Sequence, residues 1–289
     1  MAELRRRLET GEEVVVLPHE SAIATEAARR LTAALRGAVE ERGEGHIALT
    51  GGSSAVALYR ELVRQEWRDA VDWSRVHLWW GDERLVPVDH PDSNVGLAYS
   101  MLLAMAARAG MSGMGAEGTD VTAGDVVGLP VRAENVHPYE VDEMLSESDP
   151  GALVADEYRE ELERYLPAMG NLPGFDVVLL GVGPDGHILS VFPRSRVLRS
   201  EELVLSVPAP DHVEPHHPRV TVNPRLLRAA GLVLVMAAGG GKAKVLADVL
   251  GDTNDPARWP AQLARLPNAE WLIDEASAGR LPWWKEAQP

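Results

Sequence analysis

The stretch that decides the fold is FDVVLLGVGPDGHILSVFP, residues 175–193. It begins with an apolar run, Val177 to Leu180, whose length and β-branched content predict a strand buried on both faces. Three glycines follow, and Asp185 and His187 flank the last of them. Open α/β sheets bind ligands outside the carboxyl ends of their strands, so this glycine turn is a candidate functional site.

Three other apolar segments also end in polar turns that contain glycine. These turns read GGSS at 51–54, GDER at 81–84 and GGGK at 239–242. In a parallel sheet all such turns lie on one edge, so we expect the four turns to form one pocket. Its hydroxyls, backbone amides, acids, arginine, lysine and histidine suit a small phosphorylated substrate and general acid–base chemistry.

Strand and helix patterns alternate along the chain, which predicts an α/β fold with a doubly wound, mainly parallel, Rossmann-like sheet and helices on both faces. No linker or internal repeat divides the sequence, so residues 1–289 are predicted to form a single domain. Residues 106–130 are rich in Gly, Met, Ala and Asp without periodicity, and we expect a flexible insertion there. The other predicted strands are 14–17, 46–49, 76–80, 135–137, 203–207, 219–222 and 232–236, and the main helices are 21–41, 55–65, 94–107, 152–166 and 243–250.

Composition excludes several classes of function. The 289 residues include 44 acidic and 28 basic residues, a formal charge of −16, which argues against nucleic acid and anionic membranes as partners. The chain has no cysteine, so a disulfide, a thiolate metal site and a thiol nucleophile are all excluded. The N-terminus lacks the apolar core of a signal peptide, and no segment reaches the ~18 apolar residues of a membrane span. We therefore expect a cytoplasmic protein.

Four local patterns each have an alternative interpretation. GGSS either binds phosphate at a helix N-terminus or is a tight turn in which Ser53 is only an N-cap. GGGK is not a Walker A loop, because Met236 and Ala243 replace its first glycine and its Ser/Thr. The G-x-G-x-x-G at 181–186 lacks the downstream acid of a dinucleotide site, since the next strand ends in Val-Pro. The loop histidines 212, 216 and 217 match no zinc spacing, so we expect no metal site there.

Taken together, GVGPDGHILSVFP, WWGDERLVPVDHPDSN, TGGSS and the RVTV…GGGKAKVL region resemble the 6-phosphogluconolactonase family, within the superfamily of glucosamine-6-phosphate isomerases and 6-phosphogluconolactonases. The resemblance implies hydrolysis of 6-phospho-D-glucono-1,5-lactone in the oxidative pentose phosphate pathway without metal or cofactor. It implies that His187 is the general base, with Asp82 and Arg84 in the substrate site. The implied phosphate side consists of Gly51, Gly52, Ser53, Ser54, Arg219 and Lys242.

The chain departs from this family at two positions, where Ala55 replaces a common proline and Leu189 a common alanine. Neither change removes a proposed catalytic group. Either Asp185 or Asp82 is expected to orient His187, and either Arg84 or turn amides to stabilise the oxyanion.

Three other functions are weighed against the lactonase. Glucosamine-6-phosphate deaminases place a glutamate five residues after the histidine, where this chain has Phe192. A sugar-phosphate sensor would need a DNA-binding module, for which the sequence has no spare segment. A dinucleotide-dependent dehydrogenase is disfavoured by the missing acid. The expected partner is a small phosphorylated sugar lactone, and the expected state is a monomer or small homo-oligomer.

Overall fold

The computed structural model describes residues 4–103 and 128–287. The strands are β1 (Leu4–Arg7), β2 (Glu13–Leu17), β3 (Gly45–Leu49), β4 (Val76–Trp80), β5 (Asp82–Arg84), β6 (Ala168–Met169), β7 (Leu172–Pro173), β8 (Val177–Gly181), β9 (Val204–Val207), β10 (Arg219–Val222), β11 (Leu232–Ala237) and β12 (Ala269–Asp274). The helices are α1 (Glu20–Arg42), α2 (Ser53–Leu62), α3 (Gln65–Arg68), α4 (Asn94–Met101), α5 (Val141–Met144), α6 (Pro150–Tyr165), α7 (Ala243–Val249), α8 (Glu275–Ala278) and α9 (Pro282–Glu286).

Seven strands form the large sheet in the order β1-β2-β12-β11-β8-β3-β4. All neighbouring pairs are parallel except β1 with β2, which closes one edge of the sheet. Residues 177–180 of β8, an interior strand, are fully buried, as their continuous apolar run predicts. The α/β class and the mainly parallel sheet are thus confirmed. Within the described residues no helix is long and apolar enough for a membrane crossing.

A second sheet of three antiparallel strands has the order β5-β10-β9. The prediction that 82–84 belong to a turn is wrong, because these residues pair with residues 219–221 of β10. Gly81 joins the two sheets, since its N–H donates to Leu49 O in the large sheet and its carbonyl accepts from Val222 N. The small sheet therefore lies beside the carboxyl ends of β3 and β4.

Three further predictions differ from the structure. The predicted helix 94–107 ends at Met101. The predicted strand at 135–137 is a 3₁₀ turn at Ala133–Asn135 followed by a single bridge between Val136 and Leu78. The predicted helix 55–65 begins earlier and ends at Leu62, after which α3 starts at Gln65. Most of the predicted insertion at 106–130 lies outside the described residues.

Candidate active site

One cavity of about 420 Å³ lies at the carboxyl ends of β3, β8 and β11, beneath the small sheet and the loop 208–218. All four motif regions contribute to it, which is the arrangement that a shared sheet edge predicts. Of the ten residues proposed from the sequence, nine line the cavity: Gly51, Gly52, Ser53, Ser54, Asp82, Arg84, His187, Arg219 and Lys242. The tenth, Asp185, does not line it and contacts His187 instead.

His187 and Asp185 form a hydrogen-bonded pair in the glycine turn after β8. His187 Nδ1 lies 2.5 Å from Asp185 Oδ1, and the His187 backbone N–H donates to the same oxygen at 3.2 Å. An ionised carboxylate only accepts, so the ring proton resides on Nδ1 and Nε2 carries the lone pair. Although burial opposes the shift, hydrogen bonds from His187 and His212 hold the pKa of Asp185 well below its usual range. In the neutral form of this imidazole the proton lies on Nδ1, and Nε2 is the nitrogen that can accept a proton.

The backbone of this turn leaves room for the imidazole only because position 183 has no side chain. A Cβ on Gly183 would overlap the ring of His187, with His187 Cγ only 2.7 Å away. Gly186 adopts φ 82°, a left-handed conformation that favours glycine. Leu189, which also lines the cavity, adopts φ 53°. His187 is followed by a bridge between Ile188 and Val191, so it does not start a helix.

Asp82 is held by partners from two other segments. Ser190 Oγ donates to Asp82 Oδ2 at 2.6 Å, and Asn94 Nδ2 donates to the Asp82 carbonyl at 2.9 Å. Asp82 has no hydrogen bond to His187, so of the two candidate orienting aspartates only Asp185 contacts the imidazole. Asn94 lines the cavity and Ser190 is fully buried beneath it.

Glu83 fastens β5 to the start of α4. Its carboxylate accepts hydrogen bonds from the backbone N–H groups of Arg84, Asn94 and Val95 and from the hydroxyl of Ser93. Burial raises the pKa of Glu83 to about 7, although these four donors favour the ionised form. The buried acid thus fixes the positions of its neighbours in the GDER motif.

Arg84 and Arg219 lie directly opposite each other on β5 and β10. One Arg84 Nη atom donates to the Asp92 carbonyl, and Arg219 Nη2 donates to Pro215 O at 2.9 Å. The Nε atoms of both guanidinium groups are buried and have no partner among the described residues. The Arg219 guanidinium also stacks over Phe192, with Cζ 5.2 Å from the ring centroid. Two buried donors that lack acceptors beside one cavity favour an anionic ligand there.

The GGSS segment forms the N-terminus of α2. Its N-cap is Gly52, at φ 84° and without a side-chain cap, so the alternative that Ser53 is the N-cap is wrong. A Cβ on Gly51 would overlap the amide of Asn94, which explains why glycine precedes the helix here. The first N–H groups of α2 open on the cavity edge, where they can bind an anion.

Lys242 approaches the same cavity from the GGGK segment, which forms a 3₁₀ turn at Gly240–Lys242 before α7. Its Nζ donates to Val182 O at 2.7 Å. Burial lowers the pKa of the Lys242 amine, and the nearby Asp185 opposes that shift. The lysine thus adds a third cation to the lining of the cavity.

Sequence reasoning missed several residues at the site. The SN pair after GDER signals Asn94 only within the family resemblance, and nothing in the pattern marks Ser190. His212 was considered only as a metal ligand, and its contact with Asp185 was not predicted. The remaining cavity residues that were not singled out are Thr50, Asn94, Val182, Pro184, Val213, Glu214 and Met236.

Known proteins are similar to this chain over most of its length. The sequence matches the family model of glucosamine-6-phosphate isomerases/6-phosphogluconolactonase over residues 18–273. A 6-phosphogluconolactonase of Synechocystis sp. is 33% identical over 254 residues, which cover 87% of this chain and 90% of that protein. One from Streptomyces coelicolor is 33% identical over 277 residues, covering 93% and 95%.

Solved structures with the same fold also match most of this chain. The 6-phosphogluconolactonase from Trypanosoma brucei has a TM-score of 0.76 at 26% identity, covering 93% of this chain and 98% of that one. A monomeric glucosamine-6-phosphate deaminase has a TM-score of 0.70 at 15% identity, covering 92% and 99%, and shares the fold. The family match extends over most of the chain and both sequence relatives exceed 30% identity. The chain therefore belongs to the family of glucosamine-6-phosphate isomerases and 6-phosphogluconolactonases.

Proposed function

We propose that this protein hydrolyses 6-phospho-D-glucono-1,5-lactone to 6-phosphogluconate, the lactonase step of the oxidative pentose phosphate pathway. One observation carries the proposal. His187, whose Nε2 has no hydrogen-bond partner among the described residues, lines the same cavity as two arginines with unpartnered buried Nε atoms. The free nitrogen of His187 can accept a proton from water, and the unpartnered N–H groups of the two arginines can bind an anionic group. This combination suits the hydrolysis of an anionic ester. The relatives named 6-phosphogluconolactonase support this choice.

In the proposed mechanism His187 Nε2 accepts a proton from water as the water oxygen bonds to the lactone carbonyl carbon. The carbonyl becomes an oxyanion, which Arg84 or turn amides stabilise. When the oxyanion collapses, the bond from the carbonyl carbon to the ring oxygen breaks. The imidazolium returns its proton to that oxygen, which leaves as a hydroxyl group. Asp185 keeps the proton on Nδ1 throughout and stabilises the transient imidazolium.

The phosphate is proposed to occupy the end of the cavity formed by the N-terminus of α2, Arg219 and Lys242. Backbone N–H groups at residues 51–54, a guanidinium and an ammonium together can neutralise a phosphate dianion. Asp82 then faces the sugar hydroxyls, since Ser190 and Asn94 hold it away from His187. In a chain of charge −16, this cluster supplies the local positive potential that an anionic substrate requires.

Phe192 argues against deaminase chemistry. Its ring lies between His187, at 4.8 Å, and the Arg219 guanidinium, at 5.2 Å. An apolar ring at this position provides no proton donor or acceptor for opening an amino sugar. Lactone hydrolysis needs no such group here.

The test couples fresh 6-phosphogluconolactone to 6-phosphogluconate dehydrogenase and NADP, at a pH low enough to slow spontaneous opening. We expect NADPH to appear faster with the protein than without it. His187→Asn should return the rate to background while the circular dichroism spectrum is unchanged. No acceleration by the folded protein, or release of ammonia from glucosamine 6-phosphate instead, would refute the lactonase proposal.

We also propose a single domain of residues 1–289 that works in the cytoplasm as a monomer or small homo-oligomer, without nucleic acid or membrane partners. The continuous hydrophobic core, which includes residues of both sheets, supports the single domain. The charge of −16 supports the choice of partners. A single cooperative thermal transition and the mass from light scattering check the domain and the oligomeric state.

A further inference from the structure

Asp185 is shared between two histidines. Its Oδ1 faces His187 Nδ1 at 2.5 Å, and its Oδ2 lies 2.9 Å from Nε2 of His212. His212 belongs to the loop 208–218 and lines the cavity. The ring of Phe192 contacts both imidazoles, with its centroid 4.8 Å from that of His187 and 5.9 Å from that of His212. The second histidine thus reaches the catalytic pair from a different part of the chain.

The surroundings of His212 favour its positively charged form. Its other nitrogen, Nδ1, lies 3.2 Å from Asp211 Oδ1, so both ring nitrogens face carboxylate oxygens. A neutral imidazole would direct a lone pair at one of these oxygens, whereas the imidazolium donates to both. Hydrogen bonds to Asp185 and then Asp211 accordingly raise the pKa of His212 above its ordinary value.

We propose that His212 is a positioning residue that holds the second oxygen of Asp185 and, by its charge, keeps His187 unprotonated and able to accept a proton from water. The inference rests on the proposed lactonase function. His212 fixes the carboxylate so that Oδ1 stays on His187 Nδ1. Its positive charge also offsets the negative charge of Asp185, which would otherwise favour an imidazolium at His187.

Some of the other charged groups around the His187–Asp185 pair favour the unprotonated form of His187, and others oppose it. Arg219 and Lys242 interact with Asp185 electrostatically, and they reinforce the effect of His212. Asp82 and Glu214 line the same cavity and oppose it. The charged and titratable groups that face the pair are, from the central turn, Asp185; from loop 208–218, Asp211, His212 and Glu214; from β5, Asp82 and Arg84; from β10, Arg219; and before α7, Lys242.

The loop offers a matched control. His216 has a side chain 48% exposed, close to the 46% of His212, and lies 3.7 Å from Glu214 of its own loop. It neither lines the cavity nor contacts Asp185. His216→Gln therefore removes a histidine from the same loop without touching the shared aspartate.

The experiment compares kcat/KM against pH for the wild-type protein, His212→Gln and His216→Gln. Glutamine retains an N–H donor and loses the charge. We expect the acid limb of the His212→Gln profile to move to higher pH by about half a unit, the size of an interaction between partly solvated charges on one carboxylate. This is about a threefold loss of kcat/KM below the midpoint, with little change on the plateau. A superimposed profile, or an equal shift in His216→Gln, would overturn the proposal.

An NMR titration of the histidine rings tests the contact without any substrate. We expect the pKa of His212 to lie above the ~6.5 of a free histidine and to fall in Asp185→Asn. An unchanged pKa in that variant would also overturn the proposal. If the wild-type protein turns over no lactone, the lactonase function fails and the catalytic part of this inference fails with it. The titration then still decides whether His212 binds Asp185.

Discussion

Gly183→Ala is the sharpest test of how the turn after β8 holds the imidazole. The added methyl group would occupy the space of the His187 ring, with ring Cγ at 2.7 Å and Nδ1 and Cε1 closer still. Backbone strain does not complicate the substitution, because Gly183 is not among the glycines with positive φ. The change therefore acts on one side chain.

The magnitude follows from contact distances. Non-bonded carbon atoms approach to about 3.5 Å, and the ring atom Cε1 lies closer than Cγ, so the ring must move by more than about 1 Å. That movement breaks the 2.5 Å contact with Asp185 and displaces Nε2 from the attacking water. A misplacement of about 1 Å costs on the order of 100-fold in rate, or about 2.7 kcal/mol of transition-state stabilisation.

The assay is the coupled lactonase reaction, with thermal unfolding measured on the same preparations. Gly37→Ala is the control, because a Cβ at Gly37 in α1 meets no atom within 4 Å. We expect kcat/KM of Gly183→Ala to fall about 100-fold while Gly37→Ala keeps wild-type activity. If Gly183→Ala stays within threefold of wild type, the imidazole does not need the position described above.

Two further predictions concern stability. Ser190→Ala removes the donor to Asp82 Oδ2 and leaves a buried acceptor unpaired, so the free energy of unfolding in urea should fall by about 1–3 kcal/mol. Burial, followed by the neighbouring His77 and His46, lowers the pKa of His137 to about 4. Because an unfolded histidine binds its proton near pH ~6.5, stability is present above that pH and is lost as the pH falls towards 4. His137→Phe should reduce this loss by about 3 kcal/mol, measured by urea unfolding at several pH values.

Each of these has its own control. Ser100→Ala removes a hydroxyl that donates to Leu97 O within α4 and should cost less than Ser190→Ala. Equal decreases in the free energy of unfolding of the two variants would mean that the hydrogen bond from Ser190 to Asp82 stabilises the fold no more than the one that Ser100 donates. Phenylalanine at 137 keeps a ring against Trp79, which stacks on His137 at 3.9 Å. If the wild-type and His137→Phe proteins lose stability in parallel between pH 6.5 and 4, another group controls the acid sensitivity.

The pattern of residues 175–193 was sufficient to predict the buried strand β8 and a cavity at its carboxyl end. Continuous apolar runs mark strands buried on both faces, and the topology then brings the turns after β3, β8 and β11 to one edge. The apolar runs are local features of the sequence, and parallel pairing of the strands then determines where the turns lie. The same reasoning failed at 82–84. Three charged residues resemble a solvated turn, and only pairing with residues 219–221, far along the chain, makes them a strand.

His212 shows the other limit of sequence reasoning. A histidine in a loop interrupted by prolines has no periodicity that reveals its neighbours. Its contact with Asp185 depends on how loop 208–218 folds over the cavity, which tertiary packing decides. The same holds for His217, whose Nε2 lies 3.0 Å from Oδ2 of Asp92, a residue far from it along the chain. Partners of this kind become visible only once both segments are placed in space.

The pairing of Arg84 with Arg219 has a consequence for handling the protein. Like charges directly opposite each other on antiparallel strands repel, so the small sheet is least stable when nothing negative lies between them. An anion that binds there stabilises the folded state by mass action, by about 2.7 kcal/mol at one hundred times its dissociation constant. Phosphate or sulfate in a buffer will therefore raise the melting temperature, whereas chloride at equal ionic strength will have less effect. The melting temperature of this protein therefore depends on the anions in the buffer as well as on the amino-acid sequence.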